Sequence, residues 1–182
     1  MVSIQDILKQ FDMHCLSKEE SNSPLIPSMI RLGKLIQESY TDICYDVTLG
    51  AWYGKRMIIT MKNLDIANVK RTDLIEIVDV DSMKKTILFF GPMPPPMISP
   101  LLFMIPYAKQ EIQYLISFRI KEEKRKENVF DSLNHITCKT TFIDLLSVVL
   151  ITLQQDTSMV INDSLVLLTA ESLEQMEKTL ER

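Results

Sequence analysis

The sequence predicts an α+β domain with three α/β/α layers, in which helices flank a central, mainly antiparallel sheet. Apolar residues recur at helical spacing near both ends of the chain, whereas short alternating segments separated by tight turns fill its middle. The 182 residues, of which 46% are hydrophobic and 24% charged, are enough for one domain with a sizeable core. No internal repeat or change of composition divides the chain, so we expect a single domain.

The first two predicted secondary-structure elements are helices. Residues 3–16 carry apolar side chains at helical spacing and predict an amphipathic helix. Residues 17–24 form a polar connector that ends in a proline. A second helix is predicted over residues 27–40, because Pro27 suits the first turn of a helix.

From residue 43 onward the sequence pattern predicts β-strands. Residues 43–53 and 56–60 predict a hairpin about a turn at Gly54. Residues 75–81 (IEIVDVD) alternate between apolar and polar side chains except at the adjacent Ile77 and Val78 and predict a strand, and residues 86–91 are their predicted antiparallel partner. Further strands are predicted at residues 112–120, 158–162 and 164–169.

Three more helices complete the predicted order. A short helix is expected over residues 101–108, although Pro106 would disturb its interior. Residues 142–154 are apolar on nearly all sides; their length indicates a buried helix, and their β-branched residues leave a strand open. Residues 170–182 predict a final helix with Thr169 as its N-cap.

Charge and cysteine content restrict the class of partner and the compartment. A net charge of −4 without a basic stripe argues against nucleic acid or an anionic membrane as the main partner. No apolar run approaches the roughly 18–20 residues that span a bilayer, and the N-terminus lacks a signal-peptide pattern. The three cysteines, Cys15, Cys44 and Cys138, have no CxxC spacing and predict reduced thiols. We therefore expect a cytoplasmic protein.

Six segments in colinear order carry a resemblance to a known family. They are residues 54–60 (GKRMIIT), 71–79 (RTDLIEIVD), 91–100 (GPMPPPMISP), 108–112 (AKQEI), 114–120 (YLISFRI) and 160–181. In order and pattern they resemble the class II aldolase/adducin family, the fold of fuculose-phosphate aldolase and ribulose-phosphate 4-epimerase. The resemblance covers residues 28–182 of a single domain at 1–182, in which residues 1–24 supply the N-terminal helix and connector.

The resemblance implies a metal site whose residues are replaced in this chain. The family holds a zinc-type ion with three histidines, and these positions are Ser117, Arg119 and Asp163 here. The family's acidic residue falls on Ile98, and a downstream histidine falls on Leu102. Arginine has no lone pair to offer a metal, and isoleucine cannot move a proton. We therefore expect a remnant pocket at these five positions, with no catalytic residue and no metal ligand.

The family's phosphate-binding loops are also altered. By resemblance they fall on residues 47–48, 62–63 and 96–97. Thr48, Lys62 and Asn63 are the remaining candidates for binding a small anion, and Lys62 is the only cation among them.

The preferred hypothesis is a non-catalytic aldolase-like fold, without a cofactor, that acts as an oligomeric interaction protein or binds a small molecule. It predicts that Arg119 and Asp163 face each other across the old metal site. The resemblance implies a homo-oligomer, specifically a cyclic tetramer. Methionine-rich residues 92–106 are either core or an adaptable apolar surface for association.

The alternative hypothesis is a divergent sugar-phosphate aldolase or epimerase, a carbon–carbon lyase with altered site residues. It would use zinc or another divalent metal, with ligands from a neighbouring subunit. Lys62 and Arg119 would then bind the anionic substrate. Elemental analysis for zinc and a retro-aldol assay distinguish the two hypotheses.

Overall fold

Nine strands form one sheet in the computed structural model, which describes residues 3–62, 64–127, 130–137 and 140–181. In chain order they are β1 (Asp12–Ser17), β2 (Cys44–Tyr53), β3 (Arg56–Thr60), β4 (Leu74–Asp81), β5 (Thr86–Phe90), β6 (Tyr114–Ile120), β7 (Asn134–Ile136), β8 (Ser158–Ile161) and β9 (Leu165–Ala170). Across the sheet the order is β1-β5-β4-β3-β2-β6-β9-β8-β7. The two end pairs are parallel and the six inner pairs are antiparallel. The fold is therefore mixed α/β with a large mixed sheet.

The helices contribute to two separate hydrophobic clusters. They are α1 (Ile4–Leu8), α2 (Ile26–Tyr40), α3 (Ser99–Ala108), α4 (Phe142–Thr152) and α5 (Leu173–Leu180). Buried residues of α1, α3 and α4 belong to the first cluster, and those of α2 and α5 to the second. The sheet lies between the clusters: in β3, for example, Met57 and Ile59 belong to the first and Ile58 to the second. Within the described part of the chain, no helix has the length and apolar character needed to cross a bilayer.

Most predicted elements are confirmed. The second helix, both hairpins, the strand at β6 and the pair β8–β9 lie where the sequence pattern places them. Residues 142–154 adopt the helical alternative as α4. Helix α3 accommodates Pro106 in its interior and begins two residues earlier than predicted, at Ser99.

The predicted helix over residues 3–16 is wrong beyond its first turn. Helix α1 ends at Leu8, and the following residues form β1, which lies parallel to β5 at one end of the sheet. The Asp12 N–H donates to the Lys85 carbonyl at 2.8 Å and fixes the start of this pairing. Backbone pairing with a distant strand thus overrides the local helical pattern.

Two further details near the C-terminus were not predicted correctly. Thr169 lies within β9 and caps no helix; the α5 N-cap is Ser172, whose hydroxyl accepts from the Gln175 N–H at 3.2 Å. The three-residue strand β7 was missed, because so short a segment carries no measurable alternation.

The two described cysteines are free thiols in different surroundings. Cys15 is exposed and Cys44 is buried. Burial raises the pKa of the Cys44 thiol to about 11, so this side chain stays neutral and unreactive near neutral pH. Cys138 lies outside the described residues.

Candidate functional site

Strand β6 lies at the centre of the candidate site. It pairs with β2 on one side and β9 on the other, so that Ser117 stands between Thr48 and Leu167. Ser117 and Arg119 are two residues apart and therefore share one face of the strand. Ser117 and Thr48 are almost fully buried, with 2% and 3% of their surfaces exposed.

A β-bulge in β2 brings a carboxylate to this face. Asp46 and Val47 together lie opposite the single residue Phe118 of β6. Asp46 has a φ of 54°, in the left-handed region that aspartate adopts more readily than most residues. A bulge bends its strand and redirects side chains. The Asp46 Oδ2 atom lies 3.6 Å from the Arg119 Nε atom, and the two side chains form an ion pair.

The polar side chains of this region line one small pocket of about 80 Å³. They are Asp46, Thr48, Lys62, Ser117 and Arg119. The Arg119 side chain is 18% exposed, so its charge is partly shielded from water. Among the residues described, no carboxylate lies within ion-pairing distance of Lys62. Two cations and one carboxylate give the pocket a positive balance.

The remainder of the pocket wall carries no charge. It comprises Ile4, Gln5, Leu8, Pro96, Met97, Ile98 and Leu165. Three segments far apart in sequence contribute these residues: helix α1, the turn that precedes α3, and the start of β9. An uncharged wall beside the largely buried Arg119 strengthens its attraction for an anion, because it lowers the local dielectric constant, whereas Lys62 is exposed to solvent.

The structure brings five of the predicted site residues together, whereas Leu102 and Asp163 lie elsewhere. Ile98, Ser117 and Arg119 share the pocket with the predicted anion-binding residues Thr48 and Lys62. Leu102 is fully buried in the first hydrophobic cluster and does not line the pocket. Asn63 lies outside the described residues.

Arg119 does not pair with Asp163 as predicted. Asp163 lies in the turn between β8 and β9, and its side chain is 86% exposed. Its Oδ1 atom lies 3.0 Å from the Nδ1 atom of His135. Arg119 instead pairs with Asp46, which sequence reasoning missed. The one sequence feature that could have identified Asp46 is its position inside an apolar strand, where aspartate is depleted.

The donor set does not fit the zinc-type ion that the family resemblance implies. Arg119 offers no lone pair, Ser117 offers a neutral hydroxyl, and Asp46 is the only carboxylate among the described residues that line the pocket. In the described ranges, no three His, Cys, Asp or Glu side chains lie close enough together to hold a metal ion. The same side chains are well suited to an anion, since arginine and lysine donate hydrogen bonds and carry positive charge.

The architecture is similar to that of solved class II aldolases. An L-fuculose 1-phosphate aldolase superposes with a TM-score of 0.63 at 14% identity, covering 89% of this chain and 82% of that one. An aldolase II superfamily protein from Pseudomonas syringae superposes with a TM-score of 0.61 at 14% identity, covering 87% and 72%. The N-terminal class II aldolase domain of a conserved protein from Thermoplasma acidophilum gives 0.59 at 9% identity, covering 88% and 90%. No family model matches the sequence, and no curated protein sequence matches it.

Proposed function

We propose that this chain, which has the class II aldolase-like fold, is a non-catalytic protein that binds a small anion in the pocket beside β6. One observation carries the proposal. Arg119 stands where the family resemblance places a metal ligand, and it shares its pocket with Lys62, Ser117 and Thr48. A fixed positive charge thus occupies the region where a metal charge is expected.

The pocket residues can divide the binding of an anion among them. Arg119 supplies a permanent charge and several N–H donors in one plane, which matches a carboxylate or phosphate edge. Lys62 supplies a second charge on a flexible stem, and the hydroxyls of Ser117 and Thr48 can each donate one hydrogen bond. Hydrogen bonds to charged groups contribute about 1.5–3 kcal/mol each.

The same pocket is poorly equipped for retro-aldol chemistry. Such a reaction needs a group that moves a proton and an electrophile that stabilises the enediolate. Ile98 can do neither, and the Asp46 carboxylate is paired with Arg119. A divergent sugar-phosphate aldolase or epimerase could use the charges of Arg119 and Lys62 on the enediolate, but it would need another group to do the proton transfer that Ile98 cannot do.

A turnover assay tests the non-catalytic proposal. We expect no release of product from fuculose 1-phosphate or rhamnulose 1-phosphate above the rate without protein, with or without added zinc. Heat-denatured protein is the matched control for contaminants and for metal-catalysed background. Zinc-dependent cleavage that follows the folded protein through purification would favour the divergent lyase instead.

We further propose that the protein is cytoplasmic, because its cysteines have no CxxC spacing and both described cysteines are free thiols.

We also propose that copies of the chain associate with one another. Helix α4 leaves two large apolar side chains in solvent, Ile143 and Ile151, with 45% and 63% of their surfaces exposed. They are eight residues apart, about two turns along one side of the helix, where a second copy of the chain could cover both. Light scattering should give a multiple of the 21.0 kDa chain mass, and Ile151→Glu should lower it. A single-chain mass for the unaltered protein would contradict association.

A further inference from the structure

We propose that helix α1 determines the size of ligand that the pocket accepts, restricting it to a small oxyanion such as orthophosphate and excluding sugar phosphates. The inference rests on the proposed anion-binding function and adds the class of ligand to it. Its basis is the position of α1, the way α1 is held, and the volume left beside it.

Helix α1 forms one wall of the pocket. Ile4 and Leu8 lie four residues apart on the same side of the helix, and both line the pocket together with Gln5. Ser117 and Arg119 on β6 line the same pocket. A ligand bound to Arg119 in this small pocket therefore shares the space with the side chains of α1.

Packing holds this wall in place. Ile4 and Leu8 are 4% and 3% exposed, and both belong to the first hydrophobic cluster together with Ile7. Just beyond the helix, the Phe11 ring packs edge-on against Phe142 of α4, with ring centroids 4.8 Å apart. A five-residue helix has little stability alone, so these contacts fix its position.

A capping box fixes the start of α1. The Ser3 hydroxyl donates to the Asp6 carboxylate at 2.8 Å and accepts from the Asp6 N–H at 3.1 Å. Asp6 also pairs with Lys9. The hydrogen bond from Lys9, followed by those from Ser3, lowers the pKa of Asp6 from 3.8 to about 2. The stabilising contribution of this carboxylate is therefore complete above about pH 4 and is lost as the pH falls toward 2.

The remaining volume suits only a small ion. The pocket measures about 80 Å³, whereas an engineered cavity of about 150 Å³ in another protein binds benzene. Pockets for drug-sized ligands measure roughly 300–1,000 Å³. The space beside Arg119 thus matches an oxyanion of roughly three to five non-hydrogen atoms, by scaling from the benzene cavity. A whole sugar phosphate does not fit in this volume, so its sugar would have to displace α1 or lie outside the pocket.

Calorimetric titrations of the full chain with orthophosphate and glycerol 1-phosphate test this inference. At pH 8 both ligands are mainly dianions, so a difference in affinity reports size. We expect wild-type protein to bind orthophosphate at least tenfold more tightly than glycerol 1-phosphate. Leu8→Ala should reduce this ratio at least fivefold. Ile7→Ala, which removes a buried side chain from the same helix without touching the pocket, should leave the ratio unchanged.

A second variant avoids any loss of core packing. Gln5 is exposed and lines the pocket, so Gln5→Trp should fill the space and weaken orthophosphate binding at least tenfold. Gln10→Trp, on an exposed position outside the pocket, should bind as wild type does.

The outcomes separate this inference from the proposed function. If wild-type protein binds no orthophosphate, the proposed function fails and the inference fails with it. If it binds both ligands equally, or if Leu8→Ala and Ile7→Ala change the ratio alike, the role of α1 is overturned while anion binding stands. Unchanged binding by Gln5→Trp overturns the role of α1 as well.

Discussion

Arg119→Met is expected to weaken orthophosphate binding by roughly 10- to 150-fold, because the variant loses a charge-assisted interaction of about 1.5–3 kcal/mol. Methionine is apolar and of similar reach, so it replaces the stem of the largely buried arginine without leaving a void. Calorimetric titration at fixed ionic strength measures the change. The far-ultraviolet spectrum and melting temperature confirm that the variant remains folded.

The Asp46→Asn variant tests whether weaker binding by Arg119→Met comes from losing the arginine itself or from losing its ion pair with Asp46. This variant breaks the same pair but leaves Arg119 in place, and it removes the carboxylate that competes with the ligand. We expect it to bind orthophosphate at least as tightly as wild-type protein does. Asp79→Asn removes one exposed negative charge on β4, outside the pocket, and controls for net charge. A loss for Asp46→Asn equal to that for Arg119→Met would mean that Arg119 acts only through the ion pair.

Gly33→Ala is expected to cause the largest loss of stability among single-methyl additions in α2. A Cβ atom at this position would lie 2.2 Å from the carbonyl oxygen of Ile66 and 3.0 Å from the Val69 Cγ2 atom. The carbonyl belongs to the backbone and cannot rotate away. Overpacking of this kind costs about 1–3 kcal/mol, or more, and outweighs the gain of about 1 kcal/mol in helix propensity.

Thermal unfolding measures this effect. For a chain of this size, each 1 kcal/mol lost lowers the melting temperature by roughly 2–4 °C. Lys34→Ala changes the neighbouring, exposed residue of the same helix and should leave the melting temperature nearly unchanged. A Gly33→Ala protein that melts at or above the wild-type temperature would show that α2 moves freely away from Ile66.

Sequence patterns predicted those parts of the fold in which short-range periodicity and burial agree. The apolar segments of β3 and β4 lie between turn residues, and both strands were predicted within one residue, although β4 carries a bulge at Val78. At residues 12–17 the same apolar spacing suits a helix or a strand, and pairing with β5 decides the outcome. That pairing depends on residues more than seventy positions away, which no local pattern reports.

In the candidate site, too, some features follow from local sequence patterns and others depend on contacts between distant residues. The two-residue period of a strand predicts that Ser117 and Arg119 share one face. The family resemblance predicts that Thr48 and Lys62 bind an anion, and both line the same pocket as Ser117 and Arg119. The partner of Arg119 depends on a bulge, which arises from the register of two strands and has no separate signature in the sequence. The contribution of α1 to the pocket depends likewise on how distant elements pack.

Orthophosphate titration of metal-free protein tests the central claim most directly, namely that Arg119 and its neighbours hold a small anion without a metal ion. The protein is stripped with EDTA, dialysed, and titrated with and without one equivalent of zinc. We expect saturable binding with the same Kd in both titrations. Binding that is absent from the stripped protein and restored by zinc would contradict the claim.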